Sequence, residues 1–162
     1  MTIRPTTEAD WNSLKTVRLA ALLDAPTAFG VSHREASAYT DEQWKARAAG
    51  PHPAFWLAFQ EGEAVGMIGS GVSARKRYNL IAMWVAPPAR GSGIAGQLVD
   101  AVKAQALRQG HERIYLDVAP DNLRAARFYR KHGFAFIDEW APLASHPHIQ
   151  VQTMMALARE GK

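Results

Sequence analysis

The sequence predicts a mixed α/β domain of the α+β type, with one central sheet flanked by helices. Three observations carry that reading. Apolar residues Trp11, Leu14, Val17, Leu19 and Leu22 recur at helical spacing near the start. Residues 55–85 then hold short apolar runs separated by turns, as consecutive antiparallel strands do. From residue 94 onward strand-like and helix-like segments alternate, in the order β-α-β-α-β-β once the preceding strand is counted.

Each element has its own signals. Thr2-Ile3-Arg4-Pro5 suits a short edge strand, where proline is tolerated. Thr7 or Asp10 can cap the first helix, and Pro26 stops it. Residues 31–49 read as one or two short helices. FWLAF (55–59) is a buried strand, Glu61-Gly62-Glu63 a turn, and 64–73 a glycine-rich returning strand. The basic tip Arg75-Lys76-Arg77 leads to a strand ending in IAMWV (81–85), with Ile81, Met83 and Val85 expected on one buried face. Ile94, Leu98, Ala101 and Val102 start a helix that Gly110 ends. RIYLDV (113–118) is a strand, and Asp121 or Asn122 caps a helix that Gly133 stops. FAFIDEW and VQTMMAL close the chain as strands, joined by a loop holding Pro142, His146, Pro147 and His148.

Composition sets the outer bounds. With 162 residues, 48% of them hydrophobic, the chain reads as one domain over 1–162 with a core of its own. The absence of cysteine excludes a disulfide scaffold, a thiolate metal site and a cysteine nucleophile, and no metal is expected. No apolar run approaches a membrane span, and MTIRPTTEAD lacks a signal-peptide core. The expectation is therefore a cytoplasmic protein with no membrane partner. The formal net charge of +4 suits an anionic ligand but is too mild to demand nucleic acid.

The glycine loop carries the first chemical signal. Arg90-Gly91-Ser92-Gly93-Ile94-Ala95-Gly96 opens a helix. Small residues there leave backbone N–H groups pointing outward, the helix dipole adds about half a positive charge, and no side chain keeps a pyrophosphate away. Gly91-x-Gly93-x-x-Gly96 also fits the dinucleotide fingerprint, with Asp117 near the place of a ribose-binding acid. Two things oppose that alternative. Pro87 to Arg90 separate the strand from the first glycine, and only 66 residues follow Gly96.

Residues 87–99 (PPARGSGIAGQLV) and 119–134 (APDNLRAARFYRKHGF) together resemble the GNAT superfamily of N-acetyltransferases. That family's acetyl-CoA loop, Arg/Gln-x-x-Gly-x-Gly/Ala, is matched by Arg90, Gly93 and Ala95. Its later motif is matched by Asn122, Ala125, Tyr129, Gly133 and Phe134. The resemblance covers residues 63–140. It implies a mixed, mostly antiparallel sheet splayed at the cofactor site, and direct attack of an amine on the thioester of acetyl-CoA.

The resemblance implies roles residue by residue. Arg90 and the backbone of Gly91, Ser92, Gly93, Ile94, Ala95 and Gly96 would hold the pyrophosphate. The strand through Trp84 and Val85 would pair with the pantetheine arm, and an N–H there would face the thioester oxygen. Asn122 would cap the helix and bond the pantetheine, with Ala125 and Phe128 beside it. Tyr129 would protonate the departing thiolate. Lys131, with Arg124, Arg127 and Arg130, is a candidate for the 3′-phosphate, although a basic run is also how a solvated helix face reads.

A lysine-like amine is free base in only about one molecule in 2,500 at pH 7. Many family members place a glutamate on the strand before the loop, but here that stretch is Asn79-Leu80-Ile81-Ala82-Met83-Trp84, without an acid. Glu35 is the named candidate base, ahead of His146 and His148, with a water chain as the remaining alternative. Phe29, Tyr39, Trp44, Trp84 and Trp140 are the aromatic candidates for an acceptor pocket, each equally at home in a core. The expected function is acetyl transfer to a small-molecule amine. Acetylation of a protein N-terminus or lysine is the alternative, and a non-catalytic acyl-CoA-binding module is the alternative of another class. Oligomeric state, including a homodimer, stays open.

Overall fold

The computed structural model describes residues 1–159. Strand β1 (Thr2–Pro5) leads through a 3-10 turn (Glu8–Asp10) into α1 (Trp11–Asp24). The Thr7 N–H donates to Asp10 Oδ2 at 2.8 Å, so the capping pair forms on that turn. Two short helices follow, α2 (His33–Ser37) and α3 (Asp41–Ala49), each opened by a capping box. Strands β2 (Ala54–Gln60), β3 (Glu63–Val72) and β4 (Tyr78–Val85) form an antiparallel meander. Then come α4 (Ile94–Arg108), β5 (Arg113–Val118), α5 (Leu123–Lys131), β6 (Ala135–Leu143) and β7 (His146–Leu157).

All seven strands share one sheet in the order β1-β2-β3-β4-β5-β7-β6. The one parallel neighbour pair is β4 with β5, and it is joined only at Tyr78 with Ile114 and Asn79 with Tyr115. Beyond those two rungs the strands diverge, while β5 stays paired with β7 along its whole length. The splay expected from the resemblance is therefore present, and it lies in the middle of the sheet.

Strand β2 is apolar from Ala54 to Phe59 because both of its faces are covered. Trp56 and Ala58 join Ile68, Tyr78, Leu80 and Val85 in a cluster closed by Ile94, Leu98, Val99 and Val102 of α4 and Tyr129 of α5. Phe55 and Leu57 join Met67 and Trp84 in a second cluster, closed by Leu14, Val17 and Leu22 of α1, Ala36 of α2 and Trp44 of α3. Each face of the sheet thus has its own helical layer.

Two expectations are corrected. The segment holding Pro142, His146, Pro147 and His148 is not a loop, since β6 and β7 run on to a tight turn at Ala144-Ser145. Prolines are tolerated there because the paired ends project beyond the rest of the sheet. Second, Ile81, Met83 and Val85 do not share a face. Met67 pairs with Trp84 and Gly69 with Ile81, so Ala82 and Met83 together oppose Ile68 in a bulge. Ala82 adopts φ 57°, a left-handed conformation costly for alanine. The extra residue swaps the faces. Tyr78 and Leu80 point to the α4 layer before the bulge, Met83 and Val85 after it, and Trp84 turns to the α1 layer. A Cβ on Gly69 would lie 2.8 Å from the Phe55 ring and 3.0 Å from Ile81, so the strand facing the bulge needs glycine there.

Among the described residues no helix is long and apolar enough to cross a membrane.

Candidate active site

The splay opens a cleft of about 1460 Å3 that runs from the start of α4, past β4, to the loop after α1 and the β6–β7 turn. It exceeds the ~300–1,000 Å3 of a site for one drug-sized ligand, so two substrates have room side by side.

At one end lies the glycine loop. Gly91 (φ 83°) and Gly93 (φ 85°) are left-handed, and a Cβ on either would meet nothing within 4 Å, so both backbones stand open to the cleft. Gly93 is the N-cap of α4. Gly96 also lines the cleft, and it serves packing as well. A Cβ there would lie 3.0 Å from His132 Cε1, so glycine lets α4 pack closely on the end of α5. Ile94 and Ala95 also line the cleft. Ser92 does not, and its hydroxyl donates to Ala89 O at 2.6 Å, locking the turn. Arg90 lines the cleft too, and its side chain is tied to two other elements. Its Nε donates to Val85 O at 2.8 Å and its Nη2 to Asp24 Oδ2 at 2.8 Å. Here it braces β4 against α1.

Across the splay, Asn122 accepts from Ala125 N–H and starts α5. Asn122, Arg124, Ala125, Phe128, Tyr129 and Lys131 all line the cleft, whereas Arg127 and Arg130 do not. Arg130 lies instead 5.2 Å from the Phe136 ring. Tyr129 is edge-packed between Phe128 and Phe134 and is 8% exposed. Burial pushes its hydroxyl well above the usual phenol range, so it stays a neutral O–H. Donation to a thiolate is then harder than free-solution values suggest. The same dry surroundings would raise the thiolate's proton affinity as well, which narrows the gap.

The other end is built by side chains from distant segments. Trp84 Nε1 donates to Asp24 Oδ2 at 3.0 Å. That bond, together with Arg90, holds the Asp24 carboxyl below the usual range. Asp24 was missed in the sequence, although a carboxylate at a helix C-terminus opposes the dipole and so asks for another reason to be there. Arg18, less than two turns earlier on α1, also lines the cleft and was missed. The β6–β7 turn closes this end: Ser145 Oγ donates to Phe29 O at 2.6 Å and contacts His146 Nδ1 at 2.9 Å.

Glu35 is not brought to the cleft. It sits in the first turn of α2, with Oε1 accepting from the Ser32 hydroxyl at 3.2 Å, and is spent on the cap. Neither His146 nor His148 lines the cleft. Of the aromatic candidates, Phe29 and Trp84 line it, Tyr39 and Trp44 pack edge to face in the α1 layer, and Trp140 is 53% exposed on β6.

Comparison with known proteins agrees with this geometry. The chain is 30% identical to the uncharacterized N-acetyltransferase YjgM of Escherichia coli K12 over 112 residues, 66% of either chain. It spans smaller shares, 44% and 19%, of two other curated relatives. A ribosomal-protein-alanine N-acetyltransferase from Brucella melitensis superposes with TM-score 0.72 at 18% identity, covering 97% of this chain and 99% of that one. An aminoglycoside 6'-acetyltransferase type Ii superposes with TM-score 0.74 at 18% identity over the whole of both chains. At such identity these likenesses establish the fold. The profile of the acetyltransferase (GNAT) family matches residues 18–134, well over half of the sequence, and the chain belongs to that family.

Proposed function

We propose that this protein is an acetyl-CoA-dependent N-acetyltransferase that passes the acetyl group directly to the amine of a small molecule. The observation that carries the reading is the splay itself. Beyond Asn79, β4 has no strand partner on its β5 side, and that free edge leads to the open backbone at Gly91 and Gly93. An extended pantetheine arm would take up backbone groups that a sheet otherwise leaves unpaired, and the glycine loop would receive its pyrophosphate. Acetyl-CoA supplies the thioester that an amine attacks.

The chain's residues supply the rest. Tyr129, neutral and dry, would give its proton to the departing sulfur. Asp24 stays ionised and draws a cationic amine toward Trp84 instead of taking its proton. Proton removal then falls to water in the cleft. The fold serves ribosomal-protein and aminoglycoside acetyltransferases alike, so it does not choose the acceptor. What supports a small molecule is the Ser145–Phe29 hydrogen bond, which bridges the acceptor end where a peptide would need an open groove.

A thiol-release assay with purified protein, acetyl-CoA and a panel of amines tests the proposal. Intersecting initial-rate lines are expected. CoA binding without thiol release from any amine would reduce the protein to a binding module. A stable acetylated enzyme after acetyl-CoA alone would overturn direct transfer.

A further inference from the structure

The acceptor end of the cleft holds a cation that the fold leaves uncompensated. Arg18 Nη1 is buried and has no hydrogen-bond partner, and among the described residues the guanidinium makes no ion pair and no hydrogen bond. It lies 5.0 Å from the Phe29 ring centroid, a contact that orients it without neutralising it. Of its titratable neighbours, Tyr39 favours its charge and Arg47 opposes it. Burial, with that repulsion, pulls Arg18 down to about 10, so it remains a cation at neutral pH. Chains rarely keep such a group, because a buried charge without a partner is costly and a neutral side chain of similar volume would serve packing better.

The pyrophosphate is not the missing partner. Arg18 belongs to the α1 layer, with Phe29 and Tyr39, whereas the glycine loop opens α4 on the other face of the sheet. What shares its wall is Asp24, which is about 9 Å further along the helix axis. The acceptor end therefore carries a negative group beside Trp84 and a positive one deeper along α1.

Resting on the acetyltransferase reading, we propose that the acceptor amine also carries a carboxylate, and that Arg18 binds that carboxylate while Phe29 holds the guanidinium plane. Guanidinium and carboxylate match in a two-pronged fashion, which places the far end of the acceptor and leaves its amine free beside Asp24. Arg18 is thus a specificity residue that touches substrate and takes no part in proton transfer.

Binding and turnover test this separately. The binding probes are 4-acetamidobutyrate and N-butylacetamide, product-like molecules that differ in the carboxylate, titrated by calorimetry into CoA-saturated protein. The carboxylate probe should bind at least tenfold more tightly. Arg18→Gln should abolish that difference and leave CoA affinity unchanged, and Arg18→Lys, which keeps the charge and stem, should retain part of it. Equal binding of the two probes to wild type, or a preference that survives in a folded Arg18→Gln protein, overturns the proposal. Tighter binding of 3-acetamidopropylphosphonate than of the carboxylate overturns the choice of carboxylate over phosphate-type anions. In the thiol-release assay 4-aminobutyrate should show a KM at least tenfold below that of butylamine. If the binding difference is found and no amine is acetylated, the acetyltransferase reading fails and the carboxylate site stands.

Discussion

The two faces of the sheet differ in how they build their part of the cleft. On the α4–α5 face the work falls to backbone groups and to small residues close together in sequence: Gly91, Gly93, Asn122 and Ala125. On the α1–α3 face it falls to five side chains from four separate segments: Arg18 and Asp24 on α1, then Phe29, Trp84 and Ser145. The first kind of site must look alike wherever the same cofactor is bound. The second is free to differ with the acceptor, and only the fold brings its parts together.

The largest expected effect tests whether Tyr129 belongs to the chemistry or only to the core of the first face. Tyr129→Phe keeps the ring among Phe128 and Phe134 and removes the proton, so kcat should fall ~10²-fold with CoA affinity nearly intact. The pH profile adds a check on sign. Burial raises the Tyr129 hydroxyl, so the acid stays protonated through the alkaline range. Wild-type kcat/KM should therefore rise as the amine loses its proton, without a falling limb before about pH 10. Such a limb, or wild-type turnover in the variant when chemistry limits the rate, would remove Tyr129 from the mechanism.

The next effect concerns the cofactor loop. Gly93→Val places a branched side chain at φ 85° in the open mouth of α4. CoA should bind at least tenfold more weakly, about 1.4 kcal/mol. Strain at this conformation also costs stability, so Gly93→Asn, which tolerates left-handed backbone, serves as the companion. Calorimetry on folded variants with unchanged CoA affinity would discard the loop assignment.

A smaller effect sharpens the boundary between the faces. Asp24→Asn keeps an acceptor for Trp84 Nε1 and removes the negative charge. For a cationic amine kcat/KM should drop roughly fivefold at low salt, less at high salt, because the attraction is partly screened. CoA affinity should change less than twofold. If CoA affinity falls instead, the Asp24–Arg90 pair supports the cofactor side.

The same division explains what could be read in advance. The order of elements followed from apolar periodicity, which repeats along the chain, whereas the splay was implied by the family resemblance that two local motifs carried. The β4 bulge was hidden: a single alanine at φ 57° reverses which residues face α4, and alanine carries no signal for that conformation. Glu35 looked available beside Phe29 and Tyr39, yet Ser32-x-x-Glu35 is itself a capping box, a local use that outcompetes a distant one. Arg90 fitted the loop pattern by position, but its partner, Asp24, lies 66 residues earlier and no spacing rule connects them.

The smallest effect compares the pins at the two ends of the sheet. Arg4 holds Asp10 on the N-terminal side, through bonds of 2.8 and 2.9 Å, and brings its carboxyl down to about 2. Arg77, helped by Arg75, does the same to Glu139 between the β3–β4 tip and β6, also to about 2. In both cases the folded value lies below the unfolded one. Each pair therefore stabilises the fold fully above the unfolded value near 4, and loses that contribution as the pH falls toward 2. Arg4 is 43% exposed, so solvent discounts the first pair to ~1 kcal/mol. Asp10→Asn and Glu139→Gln should each lower thermal stability slightly at pH 7. They should also flatten its fall between pH 4 and pH 2, because one proton fewer is taken up on unfolding. The pairs share no residue, so the double variant should show the sum. Thermal melts across that range check it. An acid slope unchanged in Asp10→Asn would mean that Arg4 and Asp10 meet without coupling to the fold, and would leave β1 held by its pairing with β2 and by the packing of Ile3.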